Sequence, residues 1–456
     1  MRQVRVWLAI LVCKMVRFGL RVLGRGGTTI PGKLALKVCP DLLGVLGRQV
    51  TTVIITGTNG KTTSARMLEQ CFKNGAIPAF SNRSGANLLP GITAEFAAHA
   101  SLTGKMRLHY AVIECDEAAF KHVSKYVDAK AILVTNVFRD QLDRFGEITH
   151  TLTSIQTGIA NSPNATVCLN GDCALLLSMM QGLSNPVCYY GVDAPLFEVS
   201  SDDILESTRC ACGAEYVYDY RTYGHLGAYR CPNCDSVRPA LDVAVTGILE
   251  ETPDTSRIAV RVDGESHEVT VNLPGAYNIY NAAGVIAVSE VMNLGMAVTS
   301  AALAEFRGGF GRMERFSLGD VTVRMILVKN PIGCSQALRY LASQTEPFLL
   351  VMCLNDRTGD GADVSWLWDV DTTVFAGLED RLAGVICGGT RGDELAVWMK
   401  YAGVPLEKIS VELDFDRLVD VIGQAEVPVF VMPTYTAMMD VRERIAKRYG
   451  LGRFWE

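Results

Sequence analysis

The chain has 456 residues, 49% hydrophobic and 20% charged, with a net charge of −6. At roughly 100–200 residues per domain this allows two to four domains with sizeable cores, and it excludes a disordered chain, a collagen or a coiled coil. The mild negative charge gives no general push toward nucleic acid, six histidines argue against a histidine-rich metal centre, and fourteen cysteines are too few for a small disulfide-stapled scaffold.

The first forty residues depart from this average, with eight Lys/Arg (Arg2, Arg5, Lys14, Arg17, Arg21, Arg25, Lys33, Lys37) and no acid. The apolar run Val6–Cys13 is followed by no small-x-small cleavage site and falls far short of the roughly 20 residues that span a bilayer. The pattern predicts a basic helix over about residues 2–23 and a loop over Gly24–Gly32. Two roles stay open for the helix. It packs on the first domain with its cations solvated, or it meets anionic lipid or a partner's acidic face. A cytoplasmic protein with reduced thiols fits best.

Residues Gln49–Thr56 are β-branched and apolar and read as a buried parallel strand. Gly57-Thr58-Asn59-Gly60-Lys61-Thr62-Thr63 follows, then a helical pattern through Ala65, Met67, Leu68, Cys71 and Phe72. Strand, glycine loop and helix N-terminus make a phosphate cradle, because glycines let backbone N–H groups approach an anion that the helix dipole favours. Lys61 is assigned the β/γ-phosphates and Thr62 a Mg²⁺ ion. The loop is shorter than a Walker A motif, whose first glycine would fall at Ile55. A second buried strand, Tyr110–Ile113, ends in Glu114-Cys115-Asp116-Glu117. Carboxylates at that strand end are placed to hold Mg²⁺, Glu114 first and Glu117 in support, while Asp116 also reads as a helix cap. A third strand, Ala131–Thr135, runs into Asn136–Gly146, adding polar groups to the same sheet edge.

These residues, with LPGAYNIYNAAGVIA (273–287) and GRMERF (311–316), resemble the Mur ligase family of ATP-dependent carboxylate–amine ligases. The resemblance implies Asn278 and Asn281 near the adenine and Arg312 near the ribose or phosphates. Helix capping for Asn278 and a surface ion pair for Arg312 are the plainer readings. Two positions depart from the family. Gln141 stands where many members have His. Ile326-Leu327-Val328-Lys329-Asn330-Pro331 replaces Asp-x-x-His-Asn-Pro, with Lys329 suited to an anionic phosphate.

Residues 205–239 interrupt the ligase pattern with Cys210-Ala211-Cys212 and Cys231-Pro232-Asn233-Cys234. Two close thiolate pairs suit a tetrahedral structural zinc ribbon, although the first pair is C-x-C and His225 is an alternative ligand. The other ten cysteines read mostly as small core residues. A Mur-type ATPase domain carrying such a ribbon is similar to the MurT-like branch of the family, the synthetase subunits of lipid II amidotransferases. With only about 56 residues ahead of the loop, no counterpart of the UDP-sugar-gripping domain of typical Mur ligases is expected there.

From about residue 317 the pattern restarts. Strands are expected at Val321–Lys329, Pro347–Leu354, Gly384–Cys387 and Val427–Met432, and helices at Cys334–Gln344, Arg391–Tyr401 and Thr436–Tyr449, which makes a parallel α/β domain. The strand ending at Leu354 leads into an acidic, glycine-bearing loop through Asp369, with Trp366 and Trp368 as expected core anchors. The resemblance implies that an aspartate here completes a Cys–His–Asp triad whose Cys and His belong to a partner glutaminase. Asp363 is assigned that role ahead of Asp360, against a plain helix-capping reading. No G-x-C-x-G nucleophile turn occurs in the chain.

The expected architecture is α/β. A basic lead-in (1–48) precedes a Mur ligase-type P-loop ATPase domain (49–314) with a four-Cys zinc-ribbon insertion (205–239). A C-terminal Rossmann-like α/β domain (315–456) follows and contacts the glutaminase partner. The resemblance implies an enzyme using ATP, Mg²⁺ and structural Zn²⁺, paired with a GatD-like glutaminase subunit. It would convert the D-glutamate α-carboxylate of the lipid II stem peptide to D-isoglutamine through an acyl phosphate. A stand-alone ligase acting on a soluble substrate would need a substrate-gripping region that the sequence does not show. A non-catalytic ATP-binding scaffold would not need the Mg²⁺ ligands.

Overall fold

A computed structural model describes residues 2–22, 27, 29–82, 86–138, 148–196, 209–309, 311–378 and 380–450. Residues 49–271 contribute eleven described strands: β1 (Thr51–Thr56), β2 (Ala79–Ser81), β3 (Tyr110–Glu114), β4 (Ala129–Val134), β5 (Thr166–Asn170), β6 (Val187–Val192), β7 (Val217–Tyr223), β8 (Leu226–Arg230), β9 (Val243–Glu251), β10 (Ser256–Val262) and β11 (Glu265–Val271). Nine form one sheet in the order β11-β10-β9-β6-β5-β4-β1-β3-β2, and β7 pairs with β8 in a separate hairpin. Pairing is parallel from β2 to β9 and antiparallel across β9-β10-β11. The central strands are continuous apolar runs because both faces are covered: Val53, Ile54, Ile55, Ile132, Leu133 and Val134 are all fully buried. The chain leaves β1 for β2 and β3 on one side and crosses back to β4 on the other. That reversal opens a crevice at the carboxyl ends of β1, β3 and β4.

A second sheet holds β12 (Arg312–Leu318), β13 (Val321–Ile326), β14 (Phe348–Cys353), β15 (Leu382–Gly388), β16 (Ile409–Val411) and β17 (Val429–Pro433), in the order β12-β13-β17-β14-β15-β16. All pairs are parallel except β12 with β13. The expected parallel strands and helices are present. The sequence reading missed β12, β16 and the helix Phe415–Gly423. β12 carries the charged residues Arg312, Glu314 and Arg315, as an edge strand allows, and β16 has only three residues. The missed helix carried a legible start, since Asp414 accepts bonds from the Asp416 and Arg417 N–H groups.

The N-terminal helix runs from Arg2 to Val22 and buries Val6, Ala9, Ile10 and Cys13. The loop expected through Gly32 gives way to a second helix, Thr29–Val38, in whose first turn Pro31 displaces no hydrogen bond. Three of the cations are not simply solvated. Arg17 Nη1 lies 3.1 Å from Glu95 Oε2, Lys14 Nζ donates to the Ala100 carbonyl, and Arg2 pairs with Asp41. Nine of the ten remaining cysteines are buried as expected, and Cys188 is half-buried. Trp368, expected in the core, is 59% exposed and packs edge-on against Tyr401.

The hairpin is tied to the large sheet through Asp172, which is fully buried. Its carboxylate accepts from Arg238 Nη1 at 2.9 Å, Tyr280 Oη at 2.5 Å and the Val192 N–H at 2.8 Å, while Arg238 Nη2 reaches Asp193 at 2.5 Å. Burial raises the Asp172 carboxyl, and Arg238 opposes that rise. Removing the arginine would strand a buried charge. Arg238→Ala is therefore expected to lower stability by about 3 kcal/mol in urea unfolding followed by circular dichroism, with Arg238→Lys in between.

Candidate active site and metal centre

The phosphate loop follows β1 directly. Gly57 and Gly60 have φ of +119° and +87°, and Gly60 caps the helix Lys61–Asn74 with no side-chain bond to its first turn. That end of the helix stays open to an anion. A Cβ at Gly60 would sit 2.0 Å from Asn281 Oδ1, so the loop presses directly on the helix Ala276–Val291. The turn's own polar groups are held by the end of β4. Asn136 Oδ1 accepts from the Asn59 N–H at 3.0 Å, and Thr135 Oγ1 donates to the Asn59 carbonyl at 2.7 Å.

Lys61 is buried and reaches Glu117 Oε1 at 2.8 Å, with further bonds to the Gly57 and Thr58 carbonyls. Burial alone would lower its pKa, but the Glu117, Glu114 and Asp116 carboxylates push it up to about 12, so the lysine keeps its charge. Thr62 Oγ1 donates to Glu114 Oε2 at 2.7 Å. Glu114 is held in turn by Asn82, whose amide bonds both the Glu114 N–H (2.9 Å) and its carbonyl (2.7 Å). Thr62 and Glu114 offer two oxygens side by side, the donor type that suits a hard divalent cation. Asp116 caps the helix Glu117–Val123 through the Ala118 and Ala119 N–H groups.

These groups open into a cavity of about 340 Å³, large enough for a small ligand. Its walls come from both sheets. The loop residues, Glu114, Glu117, Asn278 and Asn281 line one side, and Arg312, Lys329, Asn330, Asp360 and Tyr435 line the other. Asn278 is buried and is not a cap, since Gly275 holds that position and the Asn278 amide bonds the Pro274 carbonyl. Arg312 is half-buried at the cavity rather than on the open surface. Burial lowers its pKa and Glu114 offsets part of that. Asn330, which sequence reasoning did not assign, caps the helix Pro331–Ala342 and donates to Asn59 Oδ1 at 3.0 Å, joining the second sheet to the phosphate loop. The Asn-Pro pair at a helix start was its only sequence signal. Asn136, from the polar run after β4, lines the cavity as well, and Tyr223 and Tyr435 do so without a motif to announce them. Gln141 and the rest of 139–147 lie outside the described residues.

Asp363 and Asp360 have different surroundings. Asp363 is exposed and accepts from the Ser365 N–H at 2.8 Å, opening the 3₁₀ turn Ser365–Asp369. Asp360 is buried and bonded to the Thr436 N–H and hydroxyl.

Cys210, Cys212, Cys231 and Cys234 bring their sulfurs within 4.8 Å of one another, with Cys210–Cys234 and Cys212–Cys231 each at 3.5 Å. A tetrahedron with metal–sulfur bonds of about 2.3 Å has edges of about 3.8 Å, so the quartet fits one metal ion. His225 is not part of it. It is fully buried beside Cys173 Sγ at 3.3 Å, and burial holds its pKa down to about 4. The start of the insertion, 205–208, lies outside the described residues.

Family models match at two places: the Mur ligase middle domain over residues 55–213 and the MurT ligase C-terminal domain over 327–438. Along its whole length the chain is similar to two lipid II isoglutaminyl synthase (glutamine-hydrolyzing) subunits MurT. That of Streptococcus pneumoniae is 35% identical over 97% of both chains. That of Staphylococcus aureus (strain COL) is 30% identical over 98% of this chain and all of the relative. Solved structures share the fold. A pseudomurein peptide ligase type C from Methanothermus fervidus superposes with a TM-score of 0.67 at 18% identity, over 88% of this chain and 79% of that one. The MurF ligase of Thermotoga maritima in complex with ADP gives 0.64 at 14% identity, over 91% and 84%. The chain belongs to the MurT family and is a ligase of the Mur type.

Gly60 has both a left-handed backbone and no room for a side chain. Gly60→Ala is expected to abolish the thermal stabilisation given by Mg–ATP while circular dichroism shows an unchanged fold. A retained ATP shift would remove the loop from the nucleotide site.

Proposed function

We propose that this chain is the ATP-using subunit of a two-subunit amidotransferase that converts the D-glutamate α-carboxylate of the lipid II stem peptide to D-isoglutamine. The observation that carries the reading is a single cavity shared by a phosphate loop and the cations of the second sheet, in a chain that matches MurT subunits from end to end. A carboxylate oxygen attacks the γ-phosphorus of ATP, and ADP leaves. Ammonia then attacks the carbonyl carbon of the acyl phosphate, the carbon–oxygen bond to phosphate breaks, and loss of a proton leaves the amide.

Each residue has a part in this chemistry. The N–H groups of Gly57–Thr63 and the Lys61 ammonium gather the phosphate charge, with Arg312 and Lys329 closing on it from the second sheet. Lys61 exchanges Glu117 for the nucleotide's phosphates on binding. Thr62 and Glu114 would hold a magnesium ion, which would supply neutralisation of charge on the phosphates. Asn278 and Asn281 lie toward the nucleoside. The cysteine quartet would hold zinc in a structural role.

Ammonia comes from a GatD-like glutaminase subunit docked on the C-terminal domain, residues 315–456, after the ATPase domain 49–314 and the lead-in 1–48. Asp363 orients the histidine of the partner's cysteine nucleophile. Its exposure supports that role, whereas Asp360 is committed to Thr436. The enzyme works in the cytoplasm and meets its lipid-linked substrate at the inner face of the membrane.

With ATP, Mg²⁺, lipid II and ammonium the chain should lower the stem-peptide mass by the small step of an acid-to-amide exchange. With glutamine it should do so only when the partner is present. Addition of a whole amino acid by the chain alone would sink the reading. Lys61→Ala should slow the ammonium-driven reaction at least about 100-fold. Asp363→Asn should remove glutamine-driven turnover and spare the ammonium-driven one, and if both persist Asp363 is not the triad's aspartate. Elemental analysis should find one zinc per chain, lost in Cys234→Ser without loss of ammonium-driven turnover.

A further inference from the structure

The N-terminal helix has two apolar faces, and only one of them is used by the fold. Val6, Ala9, Ile10 and Cys13 are buried against the protein. At 100° per residue, Val4, Trp7, Leu8, Leu11, Met15, Phe18 and Val22 fall within a single arc of about 100° on roughly the opposite side. Val4 is 58% exposed, Met15 64%, Phe18 70% and Val22 69%, with Trp7 and Leu8 also exposed. Apolar residues scattered singly over a surface need no explanation. Six exposed ones in one register, with half-buried Leu11 between them, running the length of a 21-residue helix, mark a surface that something covers.

We propose that this face docks the protein on an anionic lipid bilayer, with the helix lying flat in the headgroup region. Charge decides the occupant. The first forty residues hold eight cations and no acid. On the helical wheel Arg21 borders one edge of the stripe and Arg5 lies beyond the other, and both are exposed, as are Lys33 and Lys37 on the following helix. An apolar stripe carrying Trp7 and Phe18 between cations is complementary to acyl chains beneath negative headgroups. Pairing with a second copy would instead bring two acid-free, cationic helices together. No described helix is long and apolar enough to cross a membrane, so the contact is peripheral. A bilayer-bound lead-in would keep the cavity near a membrane surface. The inference extends beyond the proposed reaction and needs no lipid-linked substrate to be tested.

The full chain should sediment with vesicles of phosphatidylcholine and phosphatidylglycerol, much less with phosphatidylcholine alone, and less as salt rises. The double variant Met15→Ser/Phe18→Ser changes only exposed side chains. It should bind the anionic vesicles at least tenfold more weakly with an unchanged circular dichroism spectrum. Arg5→Glu/Arg21→Glu should remove the preference for anionic vesicles. Equal sedimentation of the wild type with and without vesicles would overturn the proposal. So would a wild-type dimer in light scattering that the serine variant dissolves, since that assigns the stripe to a second copy. Ammonium-driven amidation of detergent-solubilised lipid II by the serine variant reads the proposed reaction separately: its absence in the wild type bears on the reaction, not on docking.

Discussion

The site depends on how closely a left-handed glycine turn is clasped. Backbone that passes between packed layers must have its polar groups satisfied, and at the phosphate loop short polar side chains do this. Asn136 and Thr135 bond both polar groups of Asn59, and Asn330 reaches across from the second sheet to the Asn59 side chain. Gly60 meets Asn281 with no space for a Cβ. Three separate parts of the chain therefore converge on one turn. The second sheet is set against the first by the same contact that shapes the loop.

Beside that clasp, three neighbouring carboxylates have three different jobs. Glu114 is fixed by Asn82 and faces Thr62, Asp116 turns back to cap its own helix, and Glu117 holds the buried lysine in its charged form. Spacing alone does not distinguish them, because all three follow the same strand. What separates them is the partner each side chain finds. A buried lysine needs a counter-charge, and Glu117 is the one within reach.

The cysteine ribbon is linked to this centre through its hairpin rather than through its sulfurs. Tyr223 stacks on Phe138 at the end of β4, and a Cβ at Gly224 would lie 3.0 Å from Phe138 and 3.5 Å from Ile332 of the second sheet's first helix. Asp172 holds the base of the insertion by accepting from Arg238 and Tyr280. A segment with little core of its own is thus anchored at one end by a buried carboxylate and organised at the other by four sulfurs that fit one metal. Its tip forms part of the cavity wall.

The sequence by itself determined the elements whose chemistry is local. β-branched apolar runs bounded by glycine fit buried parallel strands, a glycine turn between such a strand and a helix supplies the N–H groups an anion site needs, and paired cysteines at close spacing converge on one point. It also carried the family, through ordered motifs around Lys61, Glu114, Asn278 and Arg312. Tertiary structure decided everything that rests on partners distant in the chain. It set the three roles at 114–117, put Asn330 against Asn59 across 271 positions, and seated Arg312 at the cavity rather than on the surface. It removed His225 from the cysteine quartet and separated exposed Asp363 from buried Asp360. Periodicity shows that a helix has an apolar face but not how many such faces the fold will cover, because burial depends on what packs there. For the N-terminal helix one stripe is covered and a second is left facing outward.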